Sequence, residues 1–155
     1  MLRVEGLREH AGTGNRSGFL FDGYAPRKLS CGMDHSPGFL KLADDAKTRT
    51  REISIEQAQA RLKQNPKAVL VDVREDNEWN AGHAIGAKHL GRGILERDLE
   101  KTFPDATAEI IMYCGGGFRS ALACDSAQKM GYKNVFSLAG GYKAMAKADW
   151  PVEKI

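Results

Sequence analysis

The sequence is poor in cysteine, with three thiols in 155 residues: Cys31, Cys114 and Cys124. An odd number in a chain of this length excludes a disulfide framework, and reduced thiols are the expectation. There is no Cys-x-x-Cys pair and no histidine cluster, so a structural zinc site is not expected. Cys31 and His35 stand four apart but lack two further ligands. Charge of one sign is also scarce. The 23 Lys+Arg are nearly matched by 20 Asp+Glu, and the signs are interspersed, which gives no basic patch for a nucleic acid. No apolar run approaches the ~18 residues a membrane helix needs. The N-terminal stretch has no continuous apolar core of the kind a secretory signal carries. Arg3, Arg8 and Arg16 are spread as in a mitochondrial transit peptide, but Glu5 and Glu9 run against that reading. A cytoplasmic protein is therefore expected.

The composition that remains, 42% apolar and 28% charged, fits one compact domain with a short appendage. Residues 1–32 hold six of the 17 glycines and show no periodicity. They read as a disordered tail, or as an extension preceding a true start at Met33. Gly12-x-Gly14 has the look of a phosphate loop, yet no strand precedes it and no helix clearly succeeds it. Residues 33–52 read as a lead-in segment, with a short helix over 39–51 carried by Phe39, Leu40, Leu42, Ala43 and Ala46.

From Ile53 the pattern is orderly. Ser54 and Gln57 form a capping box, with Ile53 placed as a hydrophobic staple. Ile55, Ala58 and Leu62 mark one face of a helix that Asn65-Pro66 stops. The apolar runs 68–73, 109–113 and 135–138 predict strands buried on both faces, and 87–90 a short strand. Helices are expected over 76–81, 94–103, 120–130 and 142–148. Strands alternating with helices make an α/β domain over 53–155 with a mostly parallel sheet. Ligands of such sheets bind beyond the carboxyl ends of the strands.

The strand ending at Tyr113 runs straight into Cys114-Gly-Gly-Gly-Phe-Arg-Ser120. A nucleophilic cysteine acts as its thiolate, and three features here favour the anion. The backbone N–H groups of Gly115, Gly116, Gly117, Phe118 and Arg119 can curl around one point. The helix expected from Ser120 aims its positive end at that point. Arg119 adds a permanent cation.

At these residues the chain resembles the rhodanese (thiosulfate sulfurtransferase) family. The pattern Cys-x-x-Gly-x-Arg-Ser falls on Cys114, Gly117, Arg119 and Ser120. An upstream signature runs from Leu70-Val-Asp-Val-Arg74 through Glu78 to Gly82-His83 and Gly86-Ala87, with Ile85 where the family usually has proline. A third, Leu138-Ala-Gly-Gly-Tyr142 and then Trp150-Pro-Val152, lies near the end. The resemblance implies a three-layer fold with a five-stranded, mostly parallel sheet flanked by helices. It implies a sulfurtransferase in which Cys114 takes a sulfane sulfur from thiosulfate or a persulfide. A thiophilic acceptor (cyanide, a thiol, a thioredoxin-like or other acceptor protein) then removes it. The loop amides from Gly115 to Arg119 would bind the substrate sulfur, and neither metal nor organic cofactor is called for. The single loop cation, Arg119, contrasts with the several that thiosulfate-preferring members often carry. Other outcomes of the same fold are a persulfide sensor or carrier, a non-catalytic binding module, and a phosphatase or arsenate reductase. The phosphatases use a loop one residue longer than the four residues between Cys114 and Arg119. Asp72 and Arg74 read as an ion pair fixing a turn, His83 as a turn residue, and Cys124 as helix packing. Nothing in the sequence forces a dimer.

Overall fold

A computed structural model of the chain describes residues 35–155. The tail at 1–32, the glycine pair Gly12 and Gly14, the start at Met33 and the thiol of Cys31 lie outside the described residues. The elements run α1 (Pro37–Lys47), β1 (Glu52–Ile53), α2 (Ile55–Gln64), β2 (Val69–Asp72), α3 (Asp76–Ala81), β3 (His83–Ala84) and β4 (Lys88–His89). They continue with a 3-10 turn (Arg92–Ile94), α4 (Leu95–Thr102), β5 (Ile110–Tyr113), α5 (Phe118–Lys129), β6 (Val135–Leu138), α6 (Gly141–Lys147) and β7 (Val152–Glu153).

β5 shows why the domain is layered. Its four residues are all buried, but successive side chains point to opposite faces. Ile110 and Met112 join one apolar cluster with Leu95, Leu99 and Ala123. Ile111 and Tyr113 join the other with Ala58, Leu138 and Met145. A strand needing cover on both faces sits inside a parallel sheet. The sheet has the order β1-β6-β5-β2-β4, and every pairing in it is parallel. β5 is central, and its carboxyl end opens directly into the glycine loop.

Local signals behave as their chemistry dictates. Ser54 Oγ accepts from the Gln57 amide at 3.2 Å while Gln57 Oε1 accepts from the Ser54 amide at 2.9 Å. α1 starts at Pro37, earlier than the apolar periodicity alone indicates, because Ser36 caps it and proline is favoured at the first helical position. It packs along α5 through buried Ala43 and Ala46, and Arg49 beyond it pairs with Asp125 of α5 at 3.1 Å.

Two expectations need correcting. α5 begins at Phe118, two residues before Ser120, because Gly117 takes φ +99° and turns the chain into the helix early. A two-stranded antiparallel ribbon, β3 with β7, was not expected, and β1, the fifth strand of the expected sheet, was not located in the sequence. Elements of two residues carry too few side chains to show a period.

Candidate active site

Cys114 leaves the end of β5 and is 1% exposed. Its backbone is gripped from the far side of the loop. The Tyr142 amide donates to the Cys114 carbonyl at 2.7 Å, and the Lys143 amide to the Gly115 carbonyl at 3.1 Å. Both donors lie in the first turn of α6, where N–H groups lack partners within the helix. The approach is so close that a Cβ on Gly141 would stand 2.3 Å from the Cys114 oxygen. Gly141 also has φ +52°, a second reason for glycine there. Gly117 is restricted likewise, since a Cβ would lie 3.2 Å from the Gly140 nitrogen.

The sulfur faces inward along the loop. Gly117 donates its N–H to Sγ at 3.1 Å. Ser120 Oγ lies 3.6 Å from Sγ and 2.8 Å from Ser137 Oγ, and both serines are fully buried. Of the five amides expected around the sulfur, Gly117's is the one bonded to Sγ. Those of Phe118 and Arg119 belong to the first turn of α5, where amides have no acceptor in the helix. Ser137 was not singled out from the sequence. A serine inside a buried strand is the signal that marks it, because a buried hydroxyl requires a partner.

Arg119 differs most from expectation. It is not a free cation beside the sulfur. Its Nη1 and Nη2 donate to the two carboxylate oxygens of Glu78, at 2.6 and 2.9 Å. This bidentate bond raises the arginine's affinity for its proton and holds the Glu78 carboxyl below the usual carboxylate range. Glu78 is itself fixed by α3, where Oε2 accepts from the Glu75 amide at 3.2 Å. The pair lies over Gly115, whose absent Cβ would meet Arg119 Nη2 at 3.1 Å. The sequence places Glu78 in a signature but gives no hint that it reaches across to the loop.

A model of the rhodanese-like domain matches residues 54–148, a stretch that holds the loop and both of the residues gripping it from α6. The chain belongs to the rhodanese-like domain family. The probable adenylyltransferase/sulfurtransferase MoeZ of Mycobacterium tuberculosis is 33% identical over 114 residues, which is 71% of this chain and 29% of that protein. The chain thus spans less than a third of the length of that relative. A Rhodopseudomonas palustris protein of unknown function, described as a possible tyrosine phosphatase, superposes with a TM-score of 0.68 at 31% identity. That match covers 79% of this chain and 100% of the other. The polysulfide-sulfur transferase homodimer of Wolinella succinogenes gives 0.65 at 28% identity, over 76% of this chain and 88% of its own.

The remaining expected residues of this rhodanese-like domain find structural places. Asp72 and Arg74 form a buried ion pair at 2.6 Å, as expected, and Arg74 also donates to the Gly82 carbonyl at 2.7 Å. The Arg74 guanidinium lies 4.1 Å from the Tyr142 ring centroid, so it backs the residue whose amide holds Cys114. His83 stacks on Trp79 with centroids 3.4 Å apart, and its nitrogens face the Trp79 carbonyl and Glu153. None of those partners is in the loop. Cys124 is fully buried, and burial pushes its thiol well up. Phe118 is half-buried, with the His35 ring 4.9 Å and the Phe39 ring 6.3 Å from its own, and Lys47 Nζ 4.5 Å from its centroid. Among the described residues, no three His, Cys, Asp or Glu side chains group to hold a metal ion. Among the same residues no helix is long and apolar enough to cross a membrane.

Proposed function

We propose that this rhodanese-like domain is a sulfurtransferase that works through a persulfide on Cys114. The observation that carries the reading is the seat of Sγ. It lies at the carboxyl end of the central strand, accepts the Gly117 N–H at 3.1 Å, and has the first turn of α5 immediately beside it.

The thiolate of Cys114 attacks the outer sulfur of a sulfane donor. With thiosulfate, a bond forms between Sγ and that sulfur, the donor's S–S bond breaks, and its electron pair leaves with sulfite. The persulfide then carries its negative charge on the outer sulfur. The uncommitted first-turn amides of α5 are suited to hold that charge, as donors hold an oxyanion in acyl transfer. An acceptor nucleophile (cyanide, a thiolate or the thiolate of a partner protein such as a thioredoxin-like one) attacks the outer sulfur. The pair from the broken bond returns to Sγ. Two half-reactions through one covalent intermediate give ping-pong kinetics.

Cys114 is also the residue that a persulfide carrier would use. Turnover with small acceptors supports the enzyme, whereas transfer only to a protein partner supports the carrier. The four-residue spacing to Arg119, together with the engagement of Arg119 by Glu78, favours a sulfur atom over a phosphate in the loop. The test is thiocyanate formation from thiosulfate or a persulfide and cyanide. Cys114→Ser is expected to abolish it, and retained turnover in that variant overturns the mechanism.

A further inference from the structure

Two hydroxyls run inward from the sulfur. Ser120 Oγ is 3.6 Å from Sγ and 2.8 Å from Ser137 Oγ. Both serines are fully buried, and Ser137 sits inside β6 between apolar Phe136 and Leu138. It lies outside the glycine loop and outside the three signature stretches of the sequence. A hydroxyl has one proton to give and two lone pairs to accept with. Among the described residues, Ser120 Oγ is the partner that Ser137 Oγ has. The row of two hydroxyls can run in two directions, and they are not equivalent. If Ser137 donates to Ser120, the Ser120 proton is free to point at Sγ, and both hydroxyl protons are used. If Sγ–H donates to Ser120 and Ser120 to Ser137, the Ser137 proton is buried with no acceptor among the described residues, which is costly. The first direction ends on an acceptor and suits a sulfur that carries negative charge.

We infer that Ser137 is a positioning residue for sulfur transfer: acting through Ser120, it holds negative charge on Sγ and so favours the empty site over the loaded one. The inference rests on the proposed persulfide of Cys114. When the thiolate takes sulfur from thiosulfate, the Sγ–S bond forms, the donor's S–S bond breaks, and sulfite leaves with the electron pair. The charge then sits on the outer sulfur, and Sγ becomes a neutral divalent sulfur, a weak acceptor. The hydrogen bond from Ser120 is therefore strong before loading and weak after it. When an acceptor attacks the outer sulfur, the electron pair returns to Sγ and the strong bond is regained. The serine pair thus favours passing the sulfur on over storing it.

The test is the loading equilibrium of Cys114, read by intact mass after a rapid quench. It is set by fixed ratios of thiosulfate to sulfite, and of 2-hydroxyethyl persulfide to 2-mercaptoethanol. Ser120→Ala removes the bond to Sγ and is expected to shift the equilibrium about tenfold toward the persulfide. Ser137→Ala leaves that bond without its support and is expected to shift it about threefold the same way. Beside Ser120→Ala, Ser137→Ala is expected to add nothing, because its effect passes through Ser120. None of these substitutions changes a charge, so the Arg119–Glu78 pair and Lys143 at the start of α6 act alike on every variant. A general disturbance of the loop would slow loading and discharge together and leave the equilibrium where it was. No shift in Ser137→Ala, or a shift away from the persulfide, overturns the inference and leaves sulfur transfer standing. A Ser137→Ala shift that persists beside Ser120→Ala overturns it too. Ser137→Thr keeps a hydroxyl, and Ser137→Val has the same shape without one. If Ser137→Ala does not fold, that pair decides: a shift in Ser137→Val alone supports the inference, and equal equilibria overturn it. Failure of both donors to load the wild-type protein overturns the sulfur-transfer reading and this inference together.

Discussion

Two of the arginine–carboxylate pairs at the carboxyl edge of the sheet differ in how far water reaches them. Arg74 and Asp72 are 5% and 0% exposed at their side chains, while Arg119 and Glu78 are 23% and 28% exposed. The first pair is part of the frame. It closes the turn after β2, ties down the Gly82 carbonyl and backs Tyr142, whose amide holds Cys114. The second pair lies over Gly115 of the loop and is partly open to solvent. The same chemistry is dry in one pair and wet in the other.

Breaking the dry pair is expected to have the largest effect. Arg74→Met leaves the buried Asp72 carboxylate with the residue-74 amide but without its counter-charge, which costs ~3–5 kcal/mol. Urea denaturation measures it. A loss under ~1 kcal/mol, the range of a surface pair, would show that the two pairs are alike after all. Gly141→Ala comes next. Its Cβ would fall 2.3 Å from the Cys114 oxygen, so either the loop or α6 must move, and sulfur transfer is expected to fall at least ~10²-fold. The cost in stability is expected to be smaller, ~1–3 kcal/mol. Equal activity in Gly141→Ala would mean that α6 does not position the cysteine.

Breaking the wet pair is expected to change stability little. Glu78→Gln should cost under ~1 kcal/mol, because a partly exposed pair contributes little net energy. The Glu78 carboxyl has a lowered folded-state pKa, so its contribution is present above the unfolded value of ~4.3 and fades as pH falls through the folded one. A separate effect lies away from the sulfur, at Asp125. Arg49 and Lys129 hold its carboxyl down at about 2. Its pairing is intact above the unfolded value of ~3.9 and is lost as pH falls toward about 2. Hydrogen exchange in α1 should rise over that window before exchange in the β5 amides does.

The contrast between the pairs also marks what the sequence could and could not disclose. The frame was legible. Buried apolar runs announced β2, β5 and β6, the Ser54 and Gln57 capping box announced α2, and Asp72 with Arg74 read as an ion pair because they stand close together at one strand end. The loop was legible as well, since glycines around a cysteine between strand and helix have a local reason. Contacts that join distant segments were not. Glu78 and Arg119 lie 41 residues apart, and Ser120 and Ser137 lie 17 apart. No periodicity or spacing connects them, and only the packing of α5 on β6 and the placing of α3 at the sheet edge bring them together. The early start of α5 was hidden for a different reason. It depends on the positive φ that Gly117 adopts, and three consecutive glycines leave open which one takes it.

The central claim is that Cys114 carries a sulfur atom, and intact mass tests it most directly. The protein is weighed as purified, after a sulfane donor, and again after cyanide. The account predicts a gain of one sulfur atom that cyanide removes and that Cys114→Ser never shows. No gain with either thiosulfate or a persulfide would contradict it, and so would a gain that persists in Cys114→Ser.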